Sequence, residues 1–129
     1  MNSSMNNKRR RVVVTGMGVV TPIGLGIEEF WKNSLDGKSG GGKITSFDAA
    51  QYDTKIACEI KGFDPLNYID KKATNRMDLF TQYAMACAEM AVKDSRLDLE
   101  HEDRERIGVI FGSGIGGMRT GKHPTHWCG

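Results

Sequence analysis

Cysteine, histidine and runs of glycine are the residues of this 129-residue sequence whose types and spacing could do chemistry. Cys58, Cys87 and Cys128 offer thiols, and His101, His123 and His126 offer imidazoles. His123, His126 and Cys128 lie close together, but a tetrahedral metal site takes a fourth ligand and a frame to hold it. With Pro124 among them they read as part of an unstructured tail, and no metal is expected. Cys58 and Cys87 have no histidine nearby in sequence to activate a thiolate, so they read as small buried apolar residues. Gly112, Gly114 and Gly117 have the G-x-G-x-x-G spacing. A dinucleotide site also requires a helix directly after the glycines and an acidic residue about 20 positions on, and the sequence supplies neither. Gly37, Gly42 and Lys43 imitate a phosphate-binding loop, but Ile44 stands where a hydroxyl should meet magnesium. That run reads as a flexible loop, and no nucleotide cofactor is expected. Lys71, Lys72 and Arg76 gather positive charge, either a solvated surface or a contact site for an acidic partner.

These residues have to be positioned by regular elements, and the apolar pattern says which. Val12, Val13 and Val14 are a continuous β-branched run of the kind buried on both faces of a parallel sheet, which predicts a strand over residues 11–15 ended by Gly16 and Gly18. Ile27, Phe30, Trp31 and Leu35 follow helical spacing, with Glu28 and Glu29 in the first turn and Gly37 as the stop. Residues 38–51 read as loop with room for a brief extended piece near Ile44. Ile56, Cys58 and Ile60 alternate with Lys55, Ala57 and Glu59, the period of a strand with one buried face. Asp64 and Pro65 open a turn. The longest regular element is a helix over residues 77–93 with a face of Phe80, Tyr83, Ala84, Cys87 and Ala91. Residues 107–111 give a last apolar strand, and the glycine-rich run 112–117 leaves its end. Strands alternating with helices predict an α/β fold with βαβ-type crossovers.

Composition limits what such a fold is for. Hydrophobic residues make up 39% and charged residues 26%, enough apolar content to exclude disorder throughout. Sixteen glycines lie well above the average of about 7% but show no triplet period, which excludes collagen. The net charge of +2 becomes −2 without the run Lys8, Arg9, Arg10 and Arg11. The positive charge is therefore a short arm and not a basic face, which argues against nucleic-acid binding. An odd number of cysteines at long spacings does not read as a disulfide framework, and a reducing cytoplasm is the simplest setting. Glycines, threonines and Pro22 interrupt the uncharged stretch that follows the basic run. It reads neither as a signal peptide nor as a membrane span of about 20 apolar residues.

Several separated motifs recur together in one family. Val12-Val13-Val14-Thr15-Gly16-Met17-Gly18, Thr21-Pro22 and Gly24 resemble the N-terminal signature of the type II β-ketoacyl-acyl-carrier-protein synthases. Trp31, Gly37, Ser39-Gly40, Phe47-Asp48, Tyr52, Arg76-Met77-Asp78, Arg106-Ile107-Gly108 and the run from Gly112 to Gly117 continue the match in order. The resemblance covers roughly residues 10–118. It divides the chain into a disordered basic arm at 1–10, a partial synthase N-terminal domain at 11–118 and an unrelated, unstructured tail at 119–129.

The resemblance implies the incomplete N-terminal half of a thiolase-like α/β fold, with a sheet between helices. It also implies an acyltransferase that elongates fatty acyl chains by decarboxylative Claisen condensation, with no metal or nucleotide, in a homodimeric parent. Its partners would be acyl carrier protein and acyl or malonyl thioesters. Ile115 resembles the residue in the wall of the acyl pocket, where the flanking glycines permit close approach of substrate or simply form a tight strand exit. Lys72 and Arg76, with Lys71 beside them, resemble basic positions that face the acidic carrier protein. Asn75 stands where the family often has another basic residue, and Gly41 replaces an apolar one. The family's nucleophilic cysteine lies in a Thr-Ala-Cys segment that this sequence does not contain, and none of its cysteines or histidines matches a catalytic position. No catalytic residue is therefore assigned, and the chain alone is expected to be inactive. The alternative is a non-catalytic fragment that retains carrier-protein or subunit binding.

Overall fold

The computed structural model describes residues 10–117. Its longest element, α3 (Leu79–Ser95), arises where the sequence predicts it, with Asp78 in the extended N-cap position. The helix ends at Arg96, which takes a left-handed conformation at φ 55° and donates its N–H to the Lys93 carbonyl at 3.3 Å. Small residues along its middle let other chain segments come close, and Ala86 is fully buried at 0% exposure.

Residues 16–20 run alongside α3 in direct backbone contact. A Cβ at Gly16 would overlap the Ala91 carbonyl, and one at Gly18 would overlap the Cys87 carbonyl. Glycine is the residue that permits this approach. The Met17 N–H donates to Asp94 Oδ2 at 2.9 Å, and the Val20 N–H hydrogen-bonds the Cys87 thiol. The chain then folds back as an antiparallel pair, β1 (Val20–Thr21) with β2 (Gly24–Leu25), closed by Thr21 Oγ1 donating to the Gly24 carbonyl at 3.0 Å.

Helix α1 (Ile27–Leu35) follows at once, and the Glu29 carboxylate accepts the Leu25 N–H at 2.8 Å. The predicted face is only half right. Ile27 and Phe30 are partly covered, while Trp31 and Leu35 are exposed. Asn33 is turned inward at 7% exposure, and its amide donates to the Ile23 carbonyl. A buried carbonyl without a donor costs about 1–3 kcal/mol, so satisfying Ile23 helps set the rotation of the helix.

The second antiparallel pair joins β3 (Gly42–Lys43) to β4 (Ile56–Ala57). The extended piece near Ile44 is present, since the Ile44 N–H donates to the Lys55 carbonyl at 3.1 Å. The predicted strand over 55–60 is shorter, and its inward face is not formed: Ile56 and Cys58 are exposed. Glu59 is instead the anchor. Its carboxylate accepts the Thr45 N–H, the Ser46 N–H at 3.0 Å and the Thr45 hydroxyl at 2.7 Å. A 3-10 turn at Pro65–Asn67 and the short helix α2 (Lys71–Thr74) lead to α3. Phe63 meets Tyr83 edge-on at 4.8 Å and stacks on Tyr68 at 6.0 Å, and Ile69 is buried beside them in sequence.

The two outer strands of the sequence reading do not form. Residues 11–15 and 107–111 have no strand partner among the described residues, and their side chains are exposed. A strand needs a neighbour to take its backbone hydrogen bonds, and a run apolar on both faces needs both faces covered; among the described residues neither run has a strand partner or a covered face. The secondary structure is thus α/β, with two short antiparallel pairs in place of βαβ crossovers.

Candidate functional site

Two sequence-predicted features meet at the N-terminal end of α3. The first is the basic segment. Asp70 caps α2, its Oδ1 accepting the N–H groups of Lys72 and Ala73 at 2.9 Å each, an ordinary acidic N-cap. Lys71 and Lys72 follow in the helix, and Arg76 lies just beyond it with its N–H on the Ala73 carbonyl at 2.9 Å. All three side chains are exposed. The segment is held to α3 by Gln82, whose amide donates to the carbonyls of Thr74 at 3.2 Å and Met77 at 3.0 Å. Among the described residues the one ion pair joins His101 to Asp98, so none of the three cations is neutralised by a carboxylate there.

The second feature is the glycine-rich run. Gly116 lies so close to the Phe80 ring that a Cβ would stand 2.7 Å from it, and Gly117, at φ 90°, faces the Asp78 carboxylate. Ser113 Oγ accepts the Gly116 N–H at 3.1 Å and tightens the turn. The run is therefore seated on residues 78–80, immediately after Arg76. Ile115 projects outward at 77% exposure. Exposed cations and an exposed branched apolar side chain toward one end of α3 can receive a ligand with an acidic part and an apolar part.

The remaining candidates stand elsewhere. Cys87 is half-buried along α3, and burial pushes its thiol above the ordinary range despite the Val20 N–H. Cys58 is exposed, contrary to the expectation of a buried residue. Its predicted strand ends at Ala57, which leaves it without a covering face. His101 pairs with Asp98 at 2.8 Å on the surface, and that contact holds the Asp98 carboxyl below its ordinary range. The run 37–43 leaves α1 and enters β3 rather than a helix. His123, His126 and Cys128, and whatever follows the glycine-rich run, lie outside the described residues. Among the described residues no group of histidines, cysteines and carboxylates is placed to hold a metal, and no helix is long and apolar enough to cross a membrane.

An open groove of about 530 Å³ lies at the other end of α3, lined by Met17, Leu25, Ile27, Glu28, Met90 and Lys93 among others. It holds none of the predicted site residues. The Glu59 clasp and the inward Asn33 were both missed from sequence, because a polar residue in a polar stretch carries no pattern that reveals its partner.

Known proteins share these features. The family described as "Beta-ketoacyl synthase, N-terminal domain" matches residues 9–126. The 3-oxoacyl-acyl-carrier-protein synthase 2 of Staphylococcus aureus (strain COL) is 48% identical over 114 residues, 88% of this chain and 28% of that protein. The protein of the same name from Coxiella burnetii is 46% identical over 111 residues, 86% of this chain and 27% of its own length. The chain thus spans little more than a quarter of the curated relatives it matches. Among solved structures, the ishigamide ketosynthase/chain length factor superposes with a TM-score of 0.66 at 41% identity, covering 71% of this chain and 23% of that one. The α/β architecture is accordingly a portion of the thiolase-like fold of the ketosynthases. With a family match across nearly its whole length and a glycine-rich run seated beside a basic segment, this chain belongs to the β-ketoacyl synthase N-terminal domain family.

Proposed function

We propose that this chain supplies the opening part of a β-ketoacyl-acyl-carrier-protein synthase, an acyltransferase that lengthens acyl chains by condensation with malonyl-carrier protein. The family match over residues 9–126 carries the reading. In that reaction a thiolate takes the acyl chain from a carrier-protein thioester, whose thiol is released, and malonyl thioester loses carbon dioxide to give an enolate. The enolate carbon then attacks the acyl carbonyl, and the thiolate leaves. Ile115, on its glycine-flanked turn, forms part of the acyl-pocket wall, while Lys71, Lys72 and Arg76 receive the acidic carrier protein. The parent enzyme acts as a homodimer.

The 129-residue chain alone does not condense. Among the described residues no thiol is hydrogen-bonded to an imidazole, and the raised Cys87 thiol is a poor source of thiolate. Purified chain incubated with acyl and malonyl thioesters of carrier protein is expected to give no product above background. Product formation would overturn the claim of inactivity.

A second reading, a non-catalytic chain that keeps carrier-protein contact, is favoured by the three exposed cations, which have no carboxylate partner among the described residues. Titration with acyl carrier protein should show binding that weakens as salt is raised toward ~0.5 M. The combined change Lys71→Glu, Lys72→Glu and Arg76→Glu should weaken it at least about tenfold, since like charges across an interface repel. Binding that ignores both salt and the charge reversal would remove this reading.

A further inference from the structure

The three cations of the basic segment share a stretch of chain that α3 holds at both ends. Tyr83 meets Phe63 edge-on at 4.8 Å, and Phe63 stacks on Tyr68 at 6.0 Å, which secures the approach to α2. Gln82, the preceding residue of the helix, secures the exit. Its Nε2 donates to the Thr74 carbonyl at 3.2 Å and to the Met77 carbonyl at 3.0 Å. Side chains on a helix lean toward its N-terminus, so a residue in the first turn of α3 can reach back over the chain that enters it. A glutamine amide has two N–H donors, enough for both carbonyls.

Between those anchors the chain has little of its own to fix it. Helix α2 has four residues, far below the length at which a helix holds itself in water. Arg76 lies beyond it in a turn made by two backbone bonds, the Arg76 N–H to the Ala73 carbonyl at 2.9 Å and the Met77 N–H to the Thr74 carbonyl at 3.2 Å. Gln82 holds carbonyls on either side of that arginine. Ala73, Thr74 and Met77 are half-buried, while Lys71, Lys72 and Arg76 are exposed, so one side of the segment is covered and the cations stand on the other. Gln82 is itself half-buried and uncharged, and it orders the segment without cancelling its charge.

We propose that Gln82 is a positioning residue for carrier-protein docking: by holding the carbonyls of Thr74 and Met77 it fixes where Arg76 stands relative to Lys71 and Lys72. This rests on the reading that the three cations receive the acidic carrier protein. A cation whose backbone must be ordered at the moment of contact subtracts that ordering from the affinity, and a misplaced charge loses the complementarity that sets register. Gln82 needs no contact with the partner and acts through Arg76.

The test is a double-mutant cycle on the full 129-residue chain, read as affinity for acyl carrier protein at low salt. Gln82→Met keeps the length of the side chain and its helix preference and removes both donors. It should weaken binding at least about threefold when Arg76 is present, and by less than about 1.5-fold in the Arg76→Ala background. A role in general stability would instead give the same loss in both backgrounds, which overturns the proposal. In the wild-type chain the Gln82 side-chain amide protons should exchange at least about tenfold more slowly than those of the exposed Gln51. Equal exchange overturns the proposal as well. The circular dichroism of Gln82→Met should match the wild type, since the backbone bonds of α3 remain. Unfolding of that variant would make Gln82 a residue of the fold and overturn its role in docking. A wild-type chain that does not bind removes the reading of the basic segment and this proposal with it, whereas equal losses on a chain that binds remove this proposal alone.

Discussion

Gly18 has no room for a side chain, because the Cys87 carbonyl and Met90 Cβ occupy the space where a Cβ would go. Gly18→Val should separate residues 16–20 from α3 and lower the hydrogen-exchange protection of the α3 amides around Cys87 by about 1–3 kcal/mol. Glu59 offers a pH test. Its carboxyl is held down from the ordinary 4.5 to about 2 by hydrogen bonds from Thr45 and Ser46. A depressed carboxyl stabilises the fold above its unfolded value, and that contribution is lost as pH falls through the folded one. The loop at 44–46 should therefore stay protected at pH 5 and lose protection between pH 4.5 and 2, with the Glu59 carboxyl signal titrating near 2. Glu59→Gln should remove this pH dependence.

At the scale of the element, α3 ends on a residue whose type and conformation disagree. Arg96 sits at φ 55°, a region that costs a residue with a Cβ and that glycine enters freely. Arg96→Gly should strengthen the last turn of α3 by about 0.5–1 kcal/mol, read as slower exchange of its final amides. A loss of protection there would show that the Arg96 side chain holds the turn. The two longer helices were legible in sequence because each carries its own hydrogen bonds and a face of about 3.6-residue period, while the four-residue α2 is too short to show one. Residues 27–35 and 79–95 accordingly formed near their predicted bounds. The strands were less so, since a strand is completed by a neighbour that its own residues do not specify. Residues 11–15 and 107–111 have the right composition and lack the neighbour, while 42–43 and 56–57 paired through a contact that periodicity showed on one side alone.

The whole molecule has a thin interior. Among the described residues Ile69 and Ala86 are the buried apolar ones, while Trp31, Leu35, Val109 and Ile110 face water. Burial of apolar surface at roughly 25 cal/mol per Å² is the main force for folding, so the chain alone should unfold gradually. Its urea dependence should fall below about 1 kcal/mol/M, under the range of a small cooperative domain. A sharp transition in the chain alone would refute this. By itself the sequence determined the two longer helices, the family and the residue types at the candidate site, because propensity and motif order are local properties of the chain. Only the tertiary structure decided that the basic segment and the Ile115 turn share one end of α3, that Asn33 faces inward and that Glu59 clasps a loop. Those facts depend on which distant groups come into hydrogen-bonding and packing distance, and no spacing along the chain encodes that.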